Sequence, residues 1–592
     1  MRAVIEAEEQ AEPEVQPARP GHRLAEIGAY GSYLALAVLV LIQLWIDPNR
    51  RVLASNDDDH GFFLFVLAHG ERVLFHGANP LFSDQLNVPD GVNMMANTTV
   101  LALSLPVAPI THFFGAGPSL VLLLTLGLSG TAAAWYRVLS RHLVRSRVAA
   151  WIGGLWCGFC PAMVGHANGH INFVSQFVVP FIVWQVIRLR EPGRIRRGGV
   201  TLGLLVVLQV FINEETLLFT ALTLGLFVLV WAALAGRAAI EAAGRFAAGL
   251  GVALLVAGVL LAYPLWFQFT GPGSYHGQPF PPDEYVTDLL SVGAYARQSL
   301  AGNADVARAL SVSATEENTF FGVPGLIMLV VAVGLVWRSV AARAAAISAL
   351  VLLVVSMGPT LRVGGRETAI PLPFGLVSHV PVIDLVSVTR FAMVTATLAG
   401  VLLALAADRI GAFGRRRRLA FWIGLAVALV PVLPKPLPTV AADPLPPFIA
   451  DGTWRSYVPA GRSLVTVPLP EVTSGRAGMR WAALSGLEFA VPRGYFMGPA
   501  NPPADETGSW NAPRRFTSDL INQILAYGRQ PVLTEADRRA FTADLTYWRA
   551  AVVVLVPHSA HADVLQATLT DLFGRQPQLV GGVELWAVPS AG

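Results

Sequence analysis

Apolar runs of roughly 17–22 residues recur along this chain between residues 28 and 433, and each is long enough to cross a hydrocarbon layer about 30 Å thick. No water reaches that depth to satisfy backbone N–H and C=O groups, so runs of this length must span as helices. Composition agrees, with 54% of the 592 residues hydrophobic and only 14% charged. An ordinary soluble enzyme is excluded. The formal net charge of +3 decides little, because in such a chain the placement of charge matters more than its sum. Nothing points to nucleic acid as a partner.

Placement is informative. Candidate spans are 28–46, 99–115, 118–138, 148–164, 173–188, 199–213, 216–235, 246–267, 320–337, 344–358, 389–407 and 418–434. If every one crossed, Arg137, Arg141, Arg145 and Arg147 would face outward, against the positive-inside rule. Withdrawing 99–115, which carries Pro106, Pro109 and His112, removes the conflict. The arginine-rich turns at 137–147, 188–197, 237–245, 338–343 and 409–418 then all face the cytoplasm. The expected fold class is a polytopic α-helical protein of the cell membrane, with about 11 transmembrane helices plus interfacial helices. Its N-terminus lies inside. The segments 47–117, 161–172, 213–217, 269–319, 359–388 and everything after about residue 435 share the outer side.

Residues 1–27 carry Glu6, Glu8, Glu9, Glu12, Glu14 and Glu26, too acidic for a signal peptide, and read as a disordered cytoplasmic tail. The transmembrane domain is expected over 28–434, followed by a proline-rich linker at 435–450. Residues 451–592 regain soluble patterning, with buried strands expected at 463–468, 551–557 and 583–589 and helices around 516–528 and 560–573. That predicts a C-terminal extracytoplasmic α/β domain. It contains no nucleophile elbow, phosphate loop or metal pattern. Cys157 and Cys160 form a C-x-x-C inside an apolar run without adjacent ligands, which reads as small residues in a helix interface.

Against this background Asn56-Asp57-Asp58-Asp59-His60 stands out. Three adjacent carboxylates repel one another, so at least one needs a partner or a raised pKa. A raised pKa suits a general base that takes a proton from a hydroxyl. A helix cap would explain one aspartate and leave two. Asp58 and Asp59 are favoured over Asp57, because a following helix would direct them toward a cavity. At the outer end of the third crossing, Gly165-His166-Ala167-Asn168-Gly169-His170-Ile171-Asn172 places His166, His170 and Asn172 where a pyrophosphate or sugar could bind. Histidines four apart also suit a metal if helical, although the glycine and asparagine between them favour a turn. An ordinary hydrogen-bonded turn is the plain alternative.

Glu214 and Glu215 sit at a tight turn close to the membrane core. A carboxylate there faces a cavity or cation, or pairs with an arginine. Arg390 lies where the outer loop re-enters the membrane, and its guanidinium suits a lipid phosphate or snorkels to headgroups. His60 and Asn97 join the substrate-binding candidates, with His276, Asp283, Glu284, Glu316 and Glu317 as weaker ones.

Together these features resemble the GT-C glycosyltransferase superfamily, multi-span enzymes that transfer sugars from polyprenyl-phosphate donors at the outer membrane face. The resemblance covers roughly residues 28–410. It is carried by Asp57-Asp58-Asp59-His60, by Gly77-Ala78-Asn79-Pro80-Leu81-Phe82, by Pro89-Asp90-Gly91-Val92-Asn93-Met94 with Asn97-Thr98-Thr99, by Gly169-His170-Ile171-Asn172, and by Thr389-Arg390-Phe391. It implies that an aspartate of 57–59 serves as base or positions the acceptor. The donor would be a polyprenyl-phosphate sugar entering from the membrane lipids, its phosphate held by Arg390 and by His166 or His170. A glycan, lipid or protein would accept the sugar with inversion. Some members use a divalent metal such as Mg or Mn and others none. A transporter or flippase for a lipid-linked substrate and a non-catalytic cell-envelope scaffold are the rival readings.

Overall fold

The computed structural model describes residues 20–281, 283–380 and 383–589. The expected acidic tail lies outside these as far as residue 19, and the chain is already helical from Pro20. Among the described residues, six helices are long and apolar enough to cross a membrane: Arg23–Val40, Ala116–Leu143, Arg147–His166, Glu214–Ala235, Arg237–Thr270 and Val388–Ala412. Shorter apolar helices stand at Leu101–Phe114, Val179–Arg188, Val323–Val336 and Val340–Ser356. This is a polytopic helical membrane protein.

Small residues set how closely the helices approach. A Cβ on Gly154 would lie 2.6 Å from the Ala132 carbonyl oxygen, and one on Gly400 would lie 2.7 Å from Cys157 Sγ. Without a hydrophobic drive between helices in lipid, such close backbone contact is what holds them. Cys157 and Cys160 are buried free thiols within this packing.

Two expectations about the helices are corrected, at 173–188 and at 237–245. The window at 173–188 is not one span: it divides into Ile171–Val174 and Val179–Arg188. Thr131 on the neighbouring helix makes the break tolerable, its hydroxyl donating to Val174 O (2.9 Å) and accepting from Gln176 N (2.9 Å). Backbone groups freed at membrane depth must find such partners. Arg237 and Arg245, expected in a turn, belong to the 34-residue helix Arg237–Thr270. The segment at 99–115 forms the 14-residue helix Leu101–Phe114, with Pro106 and Pro109 inside it.

The C-terminal region is built on a four-stranded sheet ordered Gln578–Val580, Val583–Ala587, Ala550–Leu555, Ser463–Val467. The last two strands pair parallel and the others antiparallel. Alternating Val465, Val467 and Val553 meet Ile521, Phe541 and Leu565 from the covering helices Phe516–Tyr527, Glu535–Tyr547 and Ala562–Phe573. The other side of this sheet is continuous with the membrane part. Leu464, Met479 and Trp481 share one hydrophobic core with Phe63 and Leu67. Thr439–Ala441, inside the expected linker, pairs antiparallel with Arg51–Leu53. Part of the linker is thus a fastened strand, and the C-terminal region is seated on the helices.

Candidate active site

Asn56 caps the helix Asp57–His76, its side chain accepting from Asp59 N, so the cap is Asn56 and all three aspartates fall in the first turn. Carboxylates there also complement the positive end of the helix dipole. This turn opens onto a cavity of about 730 Å³ between the helix ends and the C-terminal region.

The three aspartates have three different environments. Asp59 Oδ2 accepts from His170 Nε2 (2.7 Å) and Asn56 Nδ2 (2.6 Å), and Asp59 Oδ1 accepts from the Tyr495 hydroxyl (3.1 Å). Burial works to raise its pKa, but His170 and the donors from His170, Asn56 and Tyr495 outweigh it and hold the carboxyl down to about 2. Asp59 is a fixed anion. Asp58 pairs with the Arg476 guanidinium. Burial raises its pKa, Arg476 lowers it, and the charges of Asp57 and Asp59 raise it again, leaving it at about 6. Asp58 can therefore exchange a proton near neutrality. Asp57 is outermost, half exposed and held by Arg476 Nη1 at 2.9 Å.

Behind Asp59 runs a histidine relay. His170 Nδ1 lies 2.8 Å from His166 Nδ1. One of these two ring nitrogens donates and the other accepts. His166 is fully buried and stacks on Phe173 at 4.6 Å. It supports the wall and is not among the residues that line the cavity. His60 likewise stands behind the cavity lining. It is buried, and burial followed by the charge of Arg480 pushes its pKa down to about 3, so it packs as a neutral ring.

The opposite wall holds Arg390. Its Nε and Nη2 donate to Glu316 Oε1 (2.9 and 2.7 Å), its Nη1 donates to Glu215 Oε2 (2.8 Å), and it lies over Phe173 at 4.6 Å. The guanidinium expected to suit a lipid phosphate is shared by two carboxylates. Glu214 accepts from Gln268 Nε2 at 2.7 Å. Asn97 is a fastener: its Nδ2 donates to Asn93 O and Met497 O (3.0 and 2.8 Å), and its Oδ1 accepts from Met497 N (2.7 Å). Asn172 lines the cavity with Oδ1 unpartnered. Of the weaker candidates only Glu316 reaches the cavity. Glu317 instead pairs with Arg297.

Sequence reasoning missed Tyr495, Trp510, Arg476, Gln268 and Tyr285. Tyr495 and Arg476 meet the aspartates across 436 and 419 residues of chain, and no local pattern marks them. Among the described residues, no group of three His, Cys, Asp or Glu side chains is placed to hold a metal ion. Asp59 already accepts three hydrogen bonds and both nitrogens of His170 are engaged, so these residues as arranged do not fit Mg or Mn.

No protein-family model and no curated protein matches the chain. Among solved structures it is similar to the archaeal oligosaccharyltransferase AglB from Archaeoglobus fulgidus in complex with an inhibitory peptide and a dolichol-phosphate. That similarity stands at 13% identity and TM-score 0.44, over 90% of this chain and 69% of that one. The Archaeoglobus fulgidus oligosaccharyltransferase in complex with Zn and sulfate gives 12% identity and TM-score 0.46, over 89% and 67%. ArnT from Cupriavidus metallidurans bound to undecaprenyl phosphate gives 14% and 0.39, over 68% and 63%.

Proposed function

We propose that this protein is a membrane glycosyltransferase that moves a sugar from a polyprenyl-phosphate donor to an extracytoplasmic glycan, lipid or protein. The observation that carries this reading is a pair of neighbouring carboxylates with opposite behaviour in one cavity. Asp59, with its pKa held down to about 2, is ionised throughout the neutral range, while Asp58 titrates at about 6. A group with a pKa near the working pH is the effective general base.

In this mechanism the acceptor hydroxyl gives its proton to Asp58 as its oxygen attacks the anomeric carbon. The bond from that carbon to the donor phosphate breaks, the phosphate leaves with the electron pair, and the configuration inverts. Asp59, ordered by His170 and Tyr495, orients the acceptor and opposes the positive charge that develops on the sugar ring. A phosphate is a good leaving group, so no protein nucleophile is needed. Arg390 is the one arginine or lysine among the described residues lining the cavity. It would meet the phosphate by exchanging one of its two carboxylate partners.

The test is sugar transfer by purified protein in lipid with radiolabelled polyprenyl-phosphate sugars, comparing wild type with Asp57→Asn, Asp58→Asn and Asp59→Asn. Transfer should fall about 10²–10⁴-fold in Asp58→Asn, the usual worth of a general base, and least in Asp57→Asn. No turnover with any donor, or turnover indifferent to all three changes, would overturn the reading.

A further inference from the structure

Tyr495 and Trp510 lie parallel, their ring centroids 5.5 Å apart and their planes 10° from one another. Both line the cavity and both are partly exposed. Tyr495 also meets the edge of Phe62 at 6.1 Å, and its hydroxyl donates to Asp59. The stack therefore begins one hydrogen bond away from the reacting carboxylates.

The element that carries Trp510 is held in place. Met497–Asn501 and Asp505–Trp510 form a hairpin in which Met497 pairs with Trp510. Asn97 clips Met497 through both its N–H and its C=O. At the other edge His276 N donates to Glu506 O (3.0 Å) and Gly508 N to His276 O (2.7 Å). Gly508 allows this approach, since a Cβ there would stand 2.5 Å from Gly277 O. Such fastening gives the indole a defined pose at the cavity wall.

On the lining of the same cavity four amide atoms lack partners: Asn172 Oδ1, Gln268 Oε1, Gln278 Oε1 and Asn213 Nδ2. Asn172 and Asn213 are 6% and 4% exposed, and all four residues line the cavity. Leaving buried amide groups unpaired is costly. An occupant must cover an aromatic face and also supply both donors and acceptors. An acyl or prenyl chain does the first only, and burying these amides against it would be unfavourable. A sugar ring does both: its C–H face bears partial positive charge toward the π cloud, while its hydroxyls donate and accept.

We propose that the Trp510–Tyr495 stack is a platform for a saccharide ring of the acceptor, so that the acceptor is a glycan. The word acceptor rests on the transferase reading, whereas the binding itself does not.

The experiment is saturation-transfer NMR on the full-length protein in lipid nanodiscs. The probes are methyl α-D-mannopyranoside, methyl β-D-galactopyranoside and methyl α-D-arabinofuranoside, with a neutral tripeptide and decyl maltoside's free alcohol, decanol, as comparison ligands. At least one glycoside should bind wild type and Trp510→Phe, and bind Trp510→Ala about tenfold more weakly. In wild type the same glycoside should protect Trp510 from N-bromosuccinimide oxidation, read by peptide mass spectrometry, which requires no variant to fold. Binding of no glycoside, preference for the tripeptide or decanol, equal binding by Trp510→Ala, or absence of protection would overturn the platform. Glycoside binding through Trp510 without any sugar transfer would leave the platform standing and remove the transferase. Transfer at unchanged KM in Trp510→Ala would do the reverse.

Discussion

Two arginines each sit between two carboxylates of the cavity lining, Arg476 behind its outer rim and Arg390 within it, yet the two triads differ in kind. At the outer end Arg476 serves Asp57 and Asp58, with side-chain exposures of 41%, 48% and 25%. At the inner end Arg390 serves Glu215 and Glu316, with exposures of 16%, 24% and 2%. Water screens the outer charges, so the pairing there contributes little to stability and leaves Asp58 free to titrate. The inner charges are largely withdrawn from water and depend on one another. The same stoichiometry thus yields an adjustable acid–base group at one end and a locked ionic joint at the other.

The largest effect should come from breaking the inner joint. Arg390→Ala leaves Glu316 buried without its counter-charge, and breaking such a pair costs about 3–5 kcal/mol. Thermal or denaturant unfolding in detergent measures it, and Arg390→Lys should recover part of the loss. A wild-type melting temperature in Arg390→Ala would erase the distinction between the two ends.

Next in size is the pH dependence of transfer. Asp58 acts only when deprotonated, so turnover should rise with pH through about 6 and level off above it. Arg476 lowers the Asp58 pKa, so Arg476→Ala should move that midpoint upward. A midpoint that stays in place, or moves down, would show that the C-terminal region does not set the state of the base.

The smallest effect sharpens the same contrast. Arg476→Ala should change folding stability by less than about 1 kcal/mol, the usual range for exposed pairs. Stability conferred by Asp59 has its own window. Its pKa is held at about 2 in the folded protein, below its value in the unfolded chain. That contribution is present above about pH 4, where the unfolded carboxylate is also ionised, and is lost as pH falls toward 2. Tyr495→Phe removes one of the three donors, so acid unfolding should begin at a higher pH than in wild type.

Local chemistry made much of this legible in the sequence. The apolar runs could only be membrane helices, because a backbone in lipid must satisfy itself. The carboxylates of 57–59, His170, Asn172 and the Glu214–Glu215 pair could be read as site residues because charge and polarity are expensive beside such runs, and all of them reach the cavity. His60 and His166 looked equivalent to these in the sequence, but burial places them behind the wall. Helix breaks were also beyond local reading, since the interruption after Val174 depends on a hydroxyl from Thr131 in another helix.

The sequence by itself therefore determined that this protein is a bundle of membrane helices with a polar site at one face, because hydrophobicity and charge act over a few residues. Only the tertiary structure decided which aspartate is a fixed anion and which can move a proton. It also decided that Arg390 is shared by two carboxylates, and that a tryptophan from the last quarter of the chain faces the cavity. Those outcomes depend on burial and on partners between 74 and 436 residues apart, and neither quantity exists until the chain has folded.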